Sequence, residues 1–210
     1  MFLVLEGIDG AGKGRQRLEL VKLMEEKGIN IDGTEFPDHQ GVLYKYLIKP
    51  YLLEELKLSP EALFVSFSLD QLLFQQRIRA SLGSKTNYFL CDGYFTTNLV
   101  YQCLVNDFVK IEIALEFARQ FNIVPADHNI FIDVDPKVAL ERKSQEAGHE
   151  KGLDINERDL SKQYKIRQGF LYLAKHNIFG NWSIVDGNGD IASVSKGILS
   201  ALKKAKIDFN

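Results

Sequence analysis

The sequence predicts an α/β protein in three layers, a parallel five-stranded sheet with helices on both faces. Three observations carry this. Short apolar segments (Phe2–Leu5, Ile29–Thr34, Tyr88–Cys91, Asn129–Val134 and Trp182–Val185) alternate with longer stretches of helical pattern. Strands separated by long helices build βαβ units, whose crossovers make the sheet parallel and cover both its faces. The polar clusters Gly7–Gly14, Phe36-Pro37-Asp38, Asp92-Gly93-Tyr94 and Asp133-Val134-Asp135 all follow strand candidates. The fold therefore gathers them at one edge of the sheet, beyond the carboxyl ends of the strands, where such sheets bind ligands. A chain of 210 residues, 45% hydrophobic, is long enough to bury the core of one such domain.

Phe2–Leu5 leads into Gly7-Ile8-Asp9-Gly10-Ala11-Gly12-Lys13-Gly14. The pattern G-x-x-x-x-G-K-[ST] is met except at its last position, where Gly14 replaces the hydroxyl residue. The glycines let backbone N–H groups curl around a polyphosphate, and the helix that follows points its positive end at the same place. Lys13 reaches toward the β- and γ-phosphates, and the missing hydroxyl ordinarily sits on Mg²⁺. Strand, loop and helix together predict a phosphate-binding loop in a P-loop NTPase fold. Gly7, Ile8, Asp9, Gly10, Ala11, Gly12, Lys13, Gly14 and Arg15 are its nucleotide-binding candidates. A glycine-rich β-to-α connection without a ligand is the plainer alternative. The next helix, Arg15–Lys27, carries Leu18, Val21 and Met24 at spacings of three.

Leu43–Leu58 reads as helix interrupted near Pro50. Ser59-Pro60 supplies an N-cap followed by proline at the first helical position, predicting one long helix from Pro60 to Leu82, closed by Gly83. Asp135-Pro136 repeats this grammar before the helix Lys137–Ala147. Gly148–Asn156 lacks apolar periodicity and reads as a mobile loop between helices, part of a lid at about 143–158. Asp159–Ile178 is helical again, and the turn Asn188-Gly189-Asp190 precedes a last helix, Ile191–Ala205. The whole reads as a single domain over residues 1–210.

The net charge of −2 gives no broad basic surface, which argues against a nucleic-acid polymer as partner. Cys91 and Cys103 read as buried, reduced thiols, and residues 2–5 are too short for a signal core or membrane span. A cytoplasmic protein without a membrane partner is expected. The histidines show no metal-ligand spacing. Asp92, at the end of an apolar strand, is placed to hold Mg²⁺ directly or through water, with a helix N-cap as the alternative role. Asp9 faces either the transferred phosphoryl group or solvent in a turn.

Several segments in order resemble one family. Phe2-Leu3-Val4-Leu5-Glu6-Gly7-Ile8-Asp9-Gly10-Ala11-Gly12-Lys13 is close to the family's opening, and Phe36-Pro37-Asp38 resembles its F-P-[DE]-R segment. Asp92-Gly93-Tyr94-Phe95-Thr96-Thr97-Asn98-Leu99-Val100-Tyr101-Gln102 resembles its D-R-Y-x-x-S-x-x-A-Y-Q. Asp133-Val134-Asp135-Pro136 with Ala139-Leu140-Glu141-Arg142, the lid-like Lys151-Gly152-Leu153-Asp154 with Glu157, and Arg167–Ala174 complete the set. Together they resemble thymidylate kinase, among the nucleoside monophosphate kinases.

The resemblance implies ATP-dependent phosphorylation of dTMP to dTDP, with Mg²⁺. In that role Lys13, Asp9, Asp92 and Arg142 are the catalytic candidates and Asp92 the metal candidate. Lys143, Lys151 or Arg158 would touch phosphate from the lid, although exposed cations like these are ordinarily just solvated surface. The acceptor side would involve Phe36, Asp38, His39, Tyr101 and Gln102. The family stacks the base on a Phe of the Pro60–Leu82 helix, with an Arg one turn on. Phe64 with Ser68 fits one register without the Arg; Phe74 with Arg77 fits another. Arg77 is the preferred cation, and the aromatic stays open between Phe64, Phe67 and Phe74. Family members often form homodimers, which this sequence permits.

The departures concentrate on phosphate chemistry. Gly14 lacks the hydroxyl, His39 and Gly93 stand where the family has Arg, and Asp154-Ile155 replaces a D-R pair. Each lost Arg is a lost bidentate fork. These losses leave two other readings open: a homologue that binds nucleotide with little turnover, or a kinase for another nucleoside monophosphate.

Overall fold

The structure is a computed structural model that describes residues 1–145 and 159–209. Its sheet has five strands: β1 (Phe2–Glu6), β2 (Asn30–Glu35), β3 (Asn87–Asp92), β4 (Ala126–Asp133) and β5 (Gly180–Asp186). All pairings are parallel, in the order β2-β3-β1-β4-β5. β1 lies at the centre and is buried along its whole length, which explains why it reads as an unbroken apolar run. β2 lies at an edge and is half exposed, which explains its polar composition.

The helices among the described residues are α1 (Lys13–Glu26), α2 (Lys49–Leu52), α3 (Pro60–Leu72), α4 (Gln75–Ser81), α5 (Phe95–Asn98), α6 (Ile111–Gln120), α7 (Pro136–Gln145), α8 (Leu160–Lys175) and α9 (Ile191–Lys204). Wider π-type turns, Tyr44–Ile48 and Leu99–Val105, adjoin α2 and α5. α1 and α9 pack together as one covering layer, while α8 packs against β4, β5 and the 99–105 segment as part of the other. This is the P-loop NTPase arrangement.

Two expectations are corrected. Leu18 is exposed on α1, whose buried face is Gln16, Leu20 and Met24, at spacings of four. The helix expected over Pro60–Leu82 is two helices. The chain tightens at Leu73-Phe74, where Phe74 N–H bonds the Gln71 carbonyl three residues back, and the Phe74 ring packs edge-on to Phe36 at 5.1 Å. The lid residues Gly148–Asn156, with Lys151 and Arg158, lie outside the described residues. Cys91 and Cys103 are buried free thiols.

Candidate active site

β1 ends at Glu6, and the loop after it enters α1 at Lys13. Gly10 has φ +80°, and a Cβ there would meet the Ala139 carbonyl of α7 at 2.4 Å. Only glycine allows the loop to pack on α7 in this conformation. Gly12 caps α1 with no side-chain hydrogen bond, so the first N–H groups of the helix stay available to an anion.

Lys13 Nζ donates to the carbonyls of Gly7 (3.1 Å) and Ile8 (3.3 Å) and lies 3.8 Å from Asp92 Oδ1. Burial works against its charge, but the carboxylates of Asp92, Asp9 and Glu6 outweigh burial and raise its pKa. Asp92 arrives beside the loop because β3 pairs with β1 in a register that sets Asp92 opposite Leu5. Burial raises the Asp92 pKa against the pull of Lys13. Gly14 faces this carboxylate: a Cβ on Gly14 would stand 3.5 Å from Asp92 Oδ2, with nothing else close.

Glu6 is a buried carboxylate next to the phosphate loop that sequence reasoning did not single out. It is fully buried at the end of β1 and accepts hydrogen bonds from the hydroxyls of Thr96 and Thr97. Burial pushes its pKa up to about 7. Glu6 thereby joins the floor of the phosphate loop to the start of α5. Its only signal in the sequence is a carboxylate at the end of an otherwise apolar strand.

A cavity of about 420 Å³ opens beyond Lys13 and Asp92. Phe67, Gln71, Asn98, Tyr101 and Gln102 line its far wall, with Phe36 and His39 at one side and Lys143 at another. Tyr101 Oη donates to Asp9 Oδ2 at 3.2 Å, tying this wall to the phosphate loop. His39 Nδ1 lies 3.0 Å from Glu35 Oε1, and its ring packs on Tyr44 at 4.2 Å. Asp38 is not a lining residue; its backbone N–H bonds the buried carboxylate of Asp70 at 2.8 Å, which fixes the loop after β2.

Of the three aromatic candidates, the structure brings only Phe67 to the cavity. Phe64 is buried in the core against Phe95 and Phe117, and Phe74 packs on Phe36. Arg77 is also held away: it forms a bidentate pair with Asp32 on the edge strand, Nε 2.9 Å from Oδ2, and lies over the Phe74 ring. The residue one turn beyond Phe67 is Gln71, so the wall carries an amide where a cation was expected. Arg142 is not a lining residue either; its guanidinium donates to the Gly189 carbonyl at 2.9 Å. Arg15 pairs with Glu19 on the exposed side of α1.

The cation at the loop mouth, the carboxylate across from it and the cavity beyond them on one sheet edge define a P-loop nucleotide phosphotransferase. A sequence model described as thymidylate kinase matches residues 5–198. The chain is 29% identical over 212 residues to a thymidylate kinase of Chlorobium limicola, covering 97% of this chain and 95% of that one. It is 30% identical over 186 residues to a thymidylate kinase of Geobacillus sp., covering 83% and 82%. It is 28% identical over 200 residues to a probable thymidylate kinase of Staphylothermus marinus, covering 94% and 92%. The chain belongs to the thymidylate kinase family and is a kinase.

Proposed function

We propose that this protein transfers the γ-phosphoryl group of ATP to the phosphate of dTMP, giving dTDP and ADP. The observation that carries this reading is the placement of Lys13 and Asp92 at the mouth of a 420 Å³ cavity, within the size range of small-ligand sites. Family membership supports turnover over the reading of a nucleotide-binding homologue without chemistry.

Phosphoryl transfer needs alignment and charge neutralisation rather than a covalent nucleophile. Backbone N–H groups of 7–14 and the Lys13 ammonium hold the donor phosphates. Asp9, held by Tyr101, keeps the loop in register with the acceptor wall. Phe67 offers a face for the base, and Lys143 stands at the cavity edge for a phosphate.

The residues present fit Mg²⁺. Asp92 turns a carboxylate to the open space at Gly14, and no group of three or more potential ligands exists among the described residues. That donor set suits an ion that keeps several waters and binds mainly through phosphates. Asp92 would hold it, and the ion would supply further neutralisation of phosphate charge. Arg142 remains a proposed contributor to phosphate binding.

The exposed stripe of Val65 and Leu69 on α3 and Leu73 at its C-terminal cap, at spacings of four, is read as the homodimer surface. No described helix is long and apolar enough to cross a membrane. Chromatographic detection of dTDP from Mg-ATP and dTMP tests the activity; its absence with folded, ATP-binding protein would overturn the proposal.

A further inference from the structure

A second groove, of about 760 Å³, opens at the other edge of the sheet, where the strands begin. Met1 reaches it ahead of β1, Lys85 ahead of β3, Asp127 at the start of β4 and Trp182 near the start of β5. Lys204 at the end of α9 and Lys206 just beyond complete the rim. The volume lies within the range of small-ligand sites.

Both lysine-bearing segments are held in place. Ser84 Oγ accepts the N–H groups of Thr86 and Asn87, at 3.2 and 2.9 Å, which shapes the turn that carries Lys85. After α9, the Lys206 N–H bonds the Lys203 carbonyl and the Ile207 N–H the Leu202 carbonyl, at 3.0 and 2.9 Å. Lys206 takes φ +61° in this turn, a left-handed position that glycine ordinarily fills. Ile207 is buried and Phe209 packs on Tyr88 at 5.7 Å, which pins the chain beyond it.

The charge around the groove is one-sided. Asp127 is its one lining carboxylate among the described residues, and it is engaged: Oδ2 accepts the Phe2 N–H at 2.8 Å, and the Met1 ammonium faces it. Lys85, Lys204 and Lys206 form no ion pair among the described residues. Lysines in the last turn of a helix complement its negative end, which accounts for Lys203 and Lys204. It does not account for Lys85 and Lys206, which lie outside the helices. Like charges around one concavity repel each other and focus a positive field into it, although the chain as a whole carries −2. Such a field suits an anion with several charges, and lysines bind phosphate as point charges without a fixed fork.

We propose that this groove is a second anion site, which takes a small polyphosphate: a chain of phosphoryl groups, free or carried on a nucleotide. It is separate from the phosphate loop and does not depend on the kinase reading. Trp182, the only tryptophan of the chain, lines the groove and reports on it. It stands on β5 four residues before Asp186, about 13 Å from the edge that carries the phosphate loop.

The test is calorimetric binding of sodium tripolyphosphate at low salt, without Mg²⁺, followed in parallel by Trp182 fluorescence. Lys13→Ala protein, whose phosphate loop is weakened, should keep one saturable site per chain with Kd of about 1 mM or tighter. Adding Lys85→Ala and Lys206→Ala should weaken that site at least tenfold, and Lys85→Arg with Lys206→Arg should retain it. Both positions are exposed, so thermal melts should stay close to those of Lys13→Ala. Added salt should weaken binding, as for any screened set of surface charges. Orthophosphate should bind at least tenfold more weakly than tripolyphosphate. ATP at similar affinity in Lys13→Ala would assign a nucleotide's phosphate chain, and much weaker ATP would assign the inorganic chain; both agree with the proposal. Absence of saturable tripolyphosphate binding in Lys13→Ala, or binding that the two further alanines leave unchanged, would overturn it.

Discussion

Gly14 and Asp92 face each other across the mouth of the phosphate loop, with room between them for one side chain: a Cβ on Gly14 would lie 3.5 Å from Asp92 Oδ2. The space belongs to the hydroxyl that the loop pattern ordinarily carries, and Asp92 is left as the carboxylate beside it. Gly14→Ser should fit without clash. It should lower the Mg²⁺ concentration needed for half-maximal activity, because the hydroxyl would supply an oxygen ligand in place of a water. It should also stabilise α1, by about 0.5 kcal/mol from helix propensity alone. An Mg²⁺ titration of initial rates, beside thermal melts, reads both effects. An unchanged titration would mean that water already serves there fully.

Tyr101 bonds Asp9 from the opposite wall, at 3.2 Å. Tyr101→Phe keeps the ring at the cavity and removes this link. We expect kcat/KM for the acceptor to fall roughly tenfold, matching about 1.5 kcal/mol for a hydrogen bond to a carboxylate. Steady-state kinetics with acceptor and ATP varied separately checks whether the loss lies on the acceptor side.

Glu6 should make its own contribution to pH dependence. Burial lifts its pKa from 4.5 to about 7 in the folded chain. The folded state therefore favours the protonated form. The contribution is fully present below pH 4.5, is lost as pH rises toward 7, and is constant above that, totalling about 3 kcal/mol. Glu6→Gln, permanently neutral, should lose this dependence. The variant's stability relative to wild type should rise between pH 5 and about 7.5 in urea unfolding. A difference that stays flat over that range would show that Glu6 is ionised at little cost.

Leu69→Glu places a charge in the middle of the α3 stripe. If two copies pair there, light scattering should show the dimer of the wild type replaced by monomer, with the melting temperature of the separated chain little changed, as for a surface substitution. A wild type that is monomeric at all concentrations would remove the stripe from the account.

Much of the fold could be read in the chain because its signals are local. β1 is apolar throughout since both its faces are covered, and Gly7–Lys13 announces its own turn. The acceptor wall was harder to read. α3 carries Leu63, Phe64, Val65, Phe67, Leu69 and Leu72, followed by Leu73 and Phe74, so apolar residues stand on nearly every side and periodicity selects no face. Arg77 was attractive as the only cation at helical spacing from an aromatic there, yet Asp32, distant in sequence, holds it on β2. Gln71 shares no charge with the expected residue, and only the fold puts it one turn beyond Phe67 in the cavity. Gly93 has φ +67°, and a Cβ there would meet the Phe36 carbonyl at 3.2 Å. Replacing it with Arg would therefore add backbone strain along with the guanidinium, and sequence alone gives no sign of that.

The most direct measurement is ADP release in a coupled assay with Mg-ATP and dTMP, for the wild type beside Lys13→Ala. Turnover on dTMP that falls at least 100-fold in Lys13→Ala, about the cost of losing one transition-state donor, is the expected result. Folded wild-type protein that binds ATP but releases no ADP above the Lys13→Ala background would contradict it.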